Sequence, residues 1–247
     1  MAPVECEAGH FCPAGASSST ACAAGTYSDR TKLSEQSHCK ECEPGYFCTG
    51  GESASTQQCQ QGYACPGGAS SATPSGVYSK TNTPRNNGQC PKGHYCPTGT
   101  DIPKPCERGK YQPSEGQHEC LDCPEGKYCH EIGLWDASSL PDCADGFHCI
   151  KGNKVDKPNG SVPADGGPCA AGSYCLKGLS TQCAAGTYEP RTGSSACQQC
   201  PAGYKCVQGA TSPTICPIYY FCAAGSSTGE LCPDGTRNTK EGLEAST

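Results

Sequence analysis

Aliphatic side chains are what this sequence has least of. Leu, Ile, Val and Phe together number 22 in 247 residues, and there is one Trp and one Met. A single domain of this length buries a large aliphatic core, and so few side chains cannot build one. No apolar run approaches the roughly 18 residues of a membrane helix, so no membrane segment is read in this stretch. A basic excess is also missing. Lys and Arg number 18 against 24 Asp and Glu, a net charge of −6, which argues against nucleic acid and anionic membranes as partners. Ala2-Pro3-Val4-Glu5 after Met1 lacks the basic and apolar regions of a signal peptide. The numbering is therefore expected to start inside a longer chain.

Cysteine is present in the place of the missing core. The chain holds 25 Cys with 32 Gly and 21 Pro. Low aliphatic content with high net charge would read as disorder, but the net charge here is modest. Cross-links are expected to hold what a core holds elsewhere. Such a load persists as disulfides only in an oxidising compartment, which places the chain outside the cell or on its surface.

One motif, Cys, five residues, Cys, recurs nine times, starting at Cys6, Cys42, Cys59, Cys90, Cys123, Cys143, Cys169, Cys200 and Cys216. The fourth position is Gly in eight of the nine, and Tyr219 is the exception. Gly at a fixed offset marks a positive φ or a close backbone approach. An aromatic residue, alone or beside His, lies just before the second Cys, as in His10-Phe11 and Tyr46-Phe47. In eight of the nine another Gly follows three residues after that Cys, as at Gly15, Gly51, Gly68 and Gly99. A second element alternates with the first. Cys22-Ala-Ala-Gly-Thr-Tyr27 runs to Cys39, Cys106-Glu-Arg-Gly-Lys-Tyr111 to Cys120, and Cys183-Ala-Ala-Gly-Thr-Tyr188 to Cys197. Together the two elements give a unit of about 80 residues, the signature of a tandem array. The units are read as 1–89, 90–168 and 169–247, the last truncated.

The pairing argument rests on joint loss. After Cys65, Gly76-Val-Tyr78 survives while Thr73 and Asn87 stand where two Cys would be; the loop 150–168 also lacks both. Losing both together is what a disulfide predicts, because one orphan thiol is reactive. Cys22–Cys39, Cys106–Cys120 and Cys183–Cys197 are therefore the expected pairs. The Cys-x5-Cys motifs can close locally, as Cys6–Cys12, Cys90–Cys96 and Cys169–Cys175, or pair across neighbouring motifs. Local closure is favoured because it leaves only Cys232 over. The partner of Cys232 is expected 14 to 17 residues on, with Ser246 at the shortest such position, so none is expected within these 247 residues.

The run Cys-Pro-x-Gly-x-Tyr-Cys-x-x-Gly followed by Cys-x-x-Gly-Thr-Tyr resembles the growth-factor-receptor and ephrin-receptor-like cysteine-rich repeats, abundant in large surface proteins of protists. The resemblance covers nearly the whole chain and implies a surface protein, while receptors, adhesins and filaments all use such repeats.

Sharper chemistry finds little support. The Cys-x-x-Cys steps (Cys39/Cys42, Cys120/Cys123, Cys197/Cys200) lack the strands and helix of a redox fold, and His118 and His130 read as surface residues rather than zinc ligands. No cofactor, metal or catalytic residue is expected, and the chain is read as not an enzyme. Asn159-Gly-Ser161 is an N-glycosylation sequon, and Ser/Thr clusters such as Ser17–Thr20 are turns open to O-linked glycans. Trp135 with Ile132, and Tyr219-Tyr220-Phe221, are the apolar places. Each is expected to cap its own module, with contact between chains as the alternative. The expected fold is small and disulfide-rich: an extended tandem array of irregular or short β-hairpin modules with little or no helix. The expected role is a structural component of an extracellular filament or coat, partnered by other copies or other surface proteins and carrying glycans. The alternative is the ligand-binding ectodomain of a receptor or adhesin.

Overall fold

Each Cys-x5-Cys motif opens with a tight turn, built on a glycine in eight of the nine and on Tyr219 in the ninth. In the computed structural model, which describes residues 5–79, 86–160, 166–233 and 240–244, the amide of His10 donates to the Glu7 carbonyl at 3.2 Å and Gly9 between them has φ +83°. That is the pattern of a type II turn, whose third position favours Gly. The turn points the two cysteines at each other, and Cys6 and Cys12 are bonded with their Cα atoms 5.9 Å apart.

The residues after the turn form a strand of two residues that pairs antiparallel with the two residues before the next Cys. His10–Phe11 pairs with Thr20–Ala21, Tyr46–Phe47 with Gln57–Gln58, and Phe147–His148 with Gly167–Pro168. The longest hairpin, Ser173–Leu176 with Leu179–Gln182, turns on Lys177 at φ +50° and Gly178 at φ +73°. Two successive positive φ values mark the primed turns that match strand twist. Every sheet among the described residues has two strands, and the only helical pieces there are the 3-10 turns Gln36–His38 and Ala137–Ser139. The protein is a tandem series of small disulfide-rich β-hairpin modules.

The core of each module is its cystine. Tyr27 packs on Cys42–Cys48, Phe47 on Cys59–Cys65 with Ala69, and Tyr188 on Cys200–Cys206 with Ala210. At Cys90–Cys96 the adjoining strand offers only Ala64, and Tyr78 from the preceding loop fills the space. In the loop-entropy account a disulfide closing six residues contributes about 2.2 kcal/mol, and one closing 14 to 17 about 3. The contacts gather into two compact units, one of residues 1–121 with 131–138, the other of residues 122–130 with 139–247.

The segment after Cys65 departs from the sequence reading. The strand Tyr63–Ala64 pairs with Gly88–Gln89, and the Cys90 amide donates to Gly62 at 2.8 Å. Cys90 thus follows Cys59 directly in the series. The described residues between Cys65 and Gly88 lie within one hairpin and are held by Tyr78, rather than forming a degenerate element with Thr73 and Asn87 in cysteine places.

Candidate functional site

Successive modules are joined by backbone groups, and this joint is the most regular feature of both units. The fourth-position glycine donates its amide to the next element: Gly25 to Cys48, Gly45 to Cys65, Gly62 to Cys96, and in the second unit Gly146 to Cys175, Gly186 to Cys206 and Gly203 to Cys222. The carbonyl of the same glycine accepts the amide of the next element's first cysteine, as Cys42 on Gly25 and Cys216 on Gly203. The glycine that follows the motif completes the joint. Gly51, Gly68, Gly99 and Gly116 donate to Cys22, Cys42, Cys59 and Cys90 at 2.8–3.1 Å. Their carbonyls lie over the fourth-position glycines one element further back, where a Cβ on Gly9, Gly25, Gly45 or Gly62 would fall within 3.0 Å of the oxygen. The second unit repeats this with Gly193 over Gly146, Gly209 over Gly172, Gly225 over Gly186 and Gly242 over Gly203. The hydrogen bonds and close stacks that tie an element to the next two are thus made by backbone groups, most of them of Cys and Gly.

The second element enters the same joint with one change. Six residues after Cys22, Cys106 and Cys183 stand Ser28, Gln112 and Glu189, where the other elements have their second cysteine. Their carbonyls accept the amides of Gly9, Gly93 and Gly172, and their side chains are buried. Each folds back on its own loop. Ser28 Oγ accepts the Arg30 amide, Gln112 Oε1 the Ser114 amide, and Glu189 Oε1 the Arg191 amide. The freed first cysteine reaches further: the structure joins Cys22 to Cys39, Cys106 to Cys120 and Cys183 to Cys197. This polar position was not singled out in the sequence, although a six-residue offset from each first cysteine marks it. Burial works to raise the pKa of Glu189, but the Arg191 amide and guanidinium with Gln198 outweigh it and hold the carboxyl below its ordinary value.

The nine Cys-x5-Cys motifs are each closed on themselves, Cys90–Cys96 and Cys169–Cys175 among them. The two sulfurs of a Cys-x-x-Cys step lie in different bonds, since Cys39 is joined to Cys22 and Cys42 to Cys48. Among the described residues no group of three His, Cys, Asp or Glu side chains is placed to hold a metal. Cys232 is the free cysteine there, half-buried, its amide on the Tyr219 carbonyl as that of Cys22 is on Gly9. Gly235, Arg237 and Ser246 lie outside the described residues.

The apolar places are more open than a capping role requires. Trp135 is 52% exposed with Lys92 Nζ 5.6 Å from its ring, and Ile132 is 64% exposed, while Leu140 is buried. Tyr219 is 55% exposed, and Tyr220 and Phe221 are half-buried. Asn159 is exposed, and Ser161 of its sequon lies outside the described residues. A polar cleft of about 820 Å³ lies beside Glu41, Gly67, Ser70, Thr73 and Asn87.

The family model described as "Tyrosine-protein kinase ephrin type A/B receptor-like" matches residues 93–143. These residues hold the closed Cys123–Cys129 and Cys106–Cys120 pairs and a seat at Gly93, so the match falls on the geometry above. The chain carries cysteine-rich, receptor-like repeats. It is also similar to the rat protein "Sushi, von Willebrand factor type A, EGF and pentraxin domain-containing protein 1", 35% identical over 112 residues, and to the mouse protein of that name at 34%. That stretch is 44% of this chain and 3% of either relative. Among the described residues no helix is long and apolar enough to cross a membrane.

Proposed function

We propose that this chain is a structural segment of an extracellular or cell-surface filament or coat, a disulfide-stapled repeat without enzymatic activity that self-associates. The joint between modules carries the reading. Its hydrogen bonds use backbone groups, most of them of Cys and Gly, so length and protease resistance come without a large aliphatic core. The open clefts offer no dry, preorganised pocket of the kind catalysis needs. Trp135 and the Tyr219–Phe221 cluster are the proposed contacts between copies, and the sequence units 1–89, 90–168 and 169–247 the proposed repeat. Self-association should appear in sedimentation velocity as concentration-dependent growth that Trp135→Ala with Tyr219→Ala abolishes. A monomer at high concentration would sink the filament reading.

One observation favours a second reading, a receptor or adhesin ectodomain. The exposed Trp135 and Ile132 lie inside the segment that matches the ephrin-receptor-like family, and exposed Trp is a preferred anchor for a protein partner. A monomer that captures a surface protein, and loses it on Trp135→Ala, is the outcome that reading requires. A glycan at Asn159 is proposed in either case, and glycosidase treatment of secreted protein should lower its mass by one N-linked chain, an effect lost in Asn159→Gln.

A further inference from the structure

Tyr219 occupies a place that every equivalent motif gives to glycine, and it keeps that glycine's backbone. Its φ is +69°, beside +74° at Gly93 and +80° at Gly203. Its carbonyl accepts the Cys232 amide at 3.1 Å, as the carbonyl of Gly203 accepts that of Cys216 at 2.9 Å. The conformation costs a residue with a Cβ much more than it costs glycine. The tyrosine therefore differs from the other seats in one respect, the atoms that project from its Cα. At the other seats that space holds a carbonyl from two elements further on: Gly193 over Gly146, Gly209 over Gly172, Gly225 over Gly186 and Gly242 over Gly203 in this unit.

We propose that Tyr219 is a stop for the glycine–carbonyl stack: the element Cys216–Cys222 does not accept a further cysteine-rich element on this edge. A Cβ is fixed to its backbone and cannot swing aside, and what it would meet at the other seats is a backbone carbonyl and not the end of a flexible side chain, so neither partner can yield cheaply. Any cysteine-rich element two steps beyond this one must leave the path the others follow, and copies that meet here do so through side chains and not by continuing the stack. The inference rests on the joint alone and stands whichever reading of function holds.

Two experiments test it, both read by amide hydrogen exchange on the full chain. In the first, Gly203→Tyr moves the stop one element back. The Gly242 amide, which donates to Cys216, and the Cys222 amide, which donates to Leu243, should exchange at least ten-fold faster. The twelve disulfides should still map as before, and Gly76→Tyr, with open space around it and the same sign of φ, should leave both amides protected. Unchanged protection in Gly203→Tyr overturns the proposal. In the second, a copy of residues 197–247 is appended after Thr247, which offers Cys232 a partner at a spacing between the 14 and 17 residues seen elsewhere. The copied Gly209 then stands two elements beyond Tyr219. Its amide should exchange as an open one with Tyr219 in place and gain at least ten-fold protection with Tyr219→Gly. Protection with Tyr219 present, or no gain on Tyr219→Gly, overturns the proposal.

Discussion

The carboxylate of Glu189 takes a half-cystine's place, and it does so as an anion. Its side chain is 1% exposed, while the arginine that faces it is 74% exposed. The hydrogen bonds around it hold its pKa below the ordinary value of 4.5 against the opposing effect of burial. A depressed folded value contributes stability in full above the ordinary value and loses it as pH falls through the folded one. The loop Glu189–Gln198 should therefore loosen as the solution is acidified below about pH 4.5, seen as faster exchange of the Arg191 amide. Glu189→Gln should remove that dependence, and an unchanged acid response in the variant would show that another group carries it. At Tyr219 the sign is opposite. Tyr219→Gly should raise stability by up to about 1 kcal/mol in thermal unfolding, since it relieves a left-handed residue while adding freedom to the unfolded chain.

Between elements, the decisive contact belongs to atoms that a sequence does not display. The cysteine spacing and the glycine at the fourth position predict turn, hairpin and local cystine, because each of those is made within one element or between it and the start of the next. The stack is made between glycines 37 to 54 residues apart, such as Gly172 with Gly209 and Gly62 with Gly116. Neither has a side chain whose pattern would betray the other. The same limit explains the loop after Cys65. Its Gly76 and Tyr78 resemble the second element, but the strand choice that ties Ala64 to Gly88 is settled by packing on Cys90–Cys96. Trp135 was legible as an apolar residue and illegible as an exposed one, since exposure depends on what the rest of the chain fails to cover. Two glycines separate the stacking contact from the cost of conformation. Gly62 and Gly76 have φ of +87° and +89°, yet a Cβ would strike the Gly116 backbone at the first and nothing at the second. Both Gly→Ala changes should cost about 1 kcal/mol for the left-handed backbone, and Gly62→Ala should cost at least about 1–3 kcal/mol more for overpacking. Equal losses in chemical denaturation would mean the stack adds no stability.

At the scale of the molecule, 20 of the 26 buried apolar residues among those described are half-cystines, so their reduction leaves little to collapse around. Full reduction should abolish near-UV dichroism and protease resistance together, and a reduced chain that kept either would refute the view that cystines are its core. The closed six-residue loops have a further consequence under tension. Six residues pulled straight would reach about 20 Å, but each such loop is bridged by sulfur with its Cα atoms only 5.7–6.5 Å apart. Force applied along the chain passes through the covalent bridges and cannot draw those residues out. What yields first is the row of amide–carbonyl bonds between neighbours, which can open and re-form. A pulled array of these modules should therefore lengthen in small reversible steps and then stiffen abruptly, behaving as a tether with a fixed maximum length.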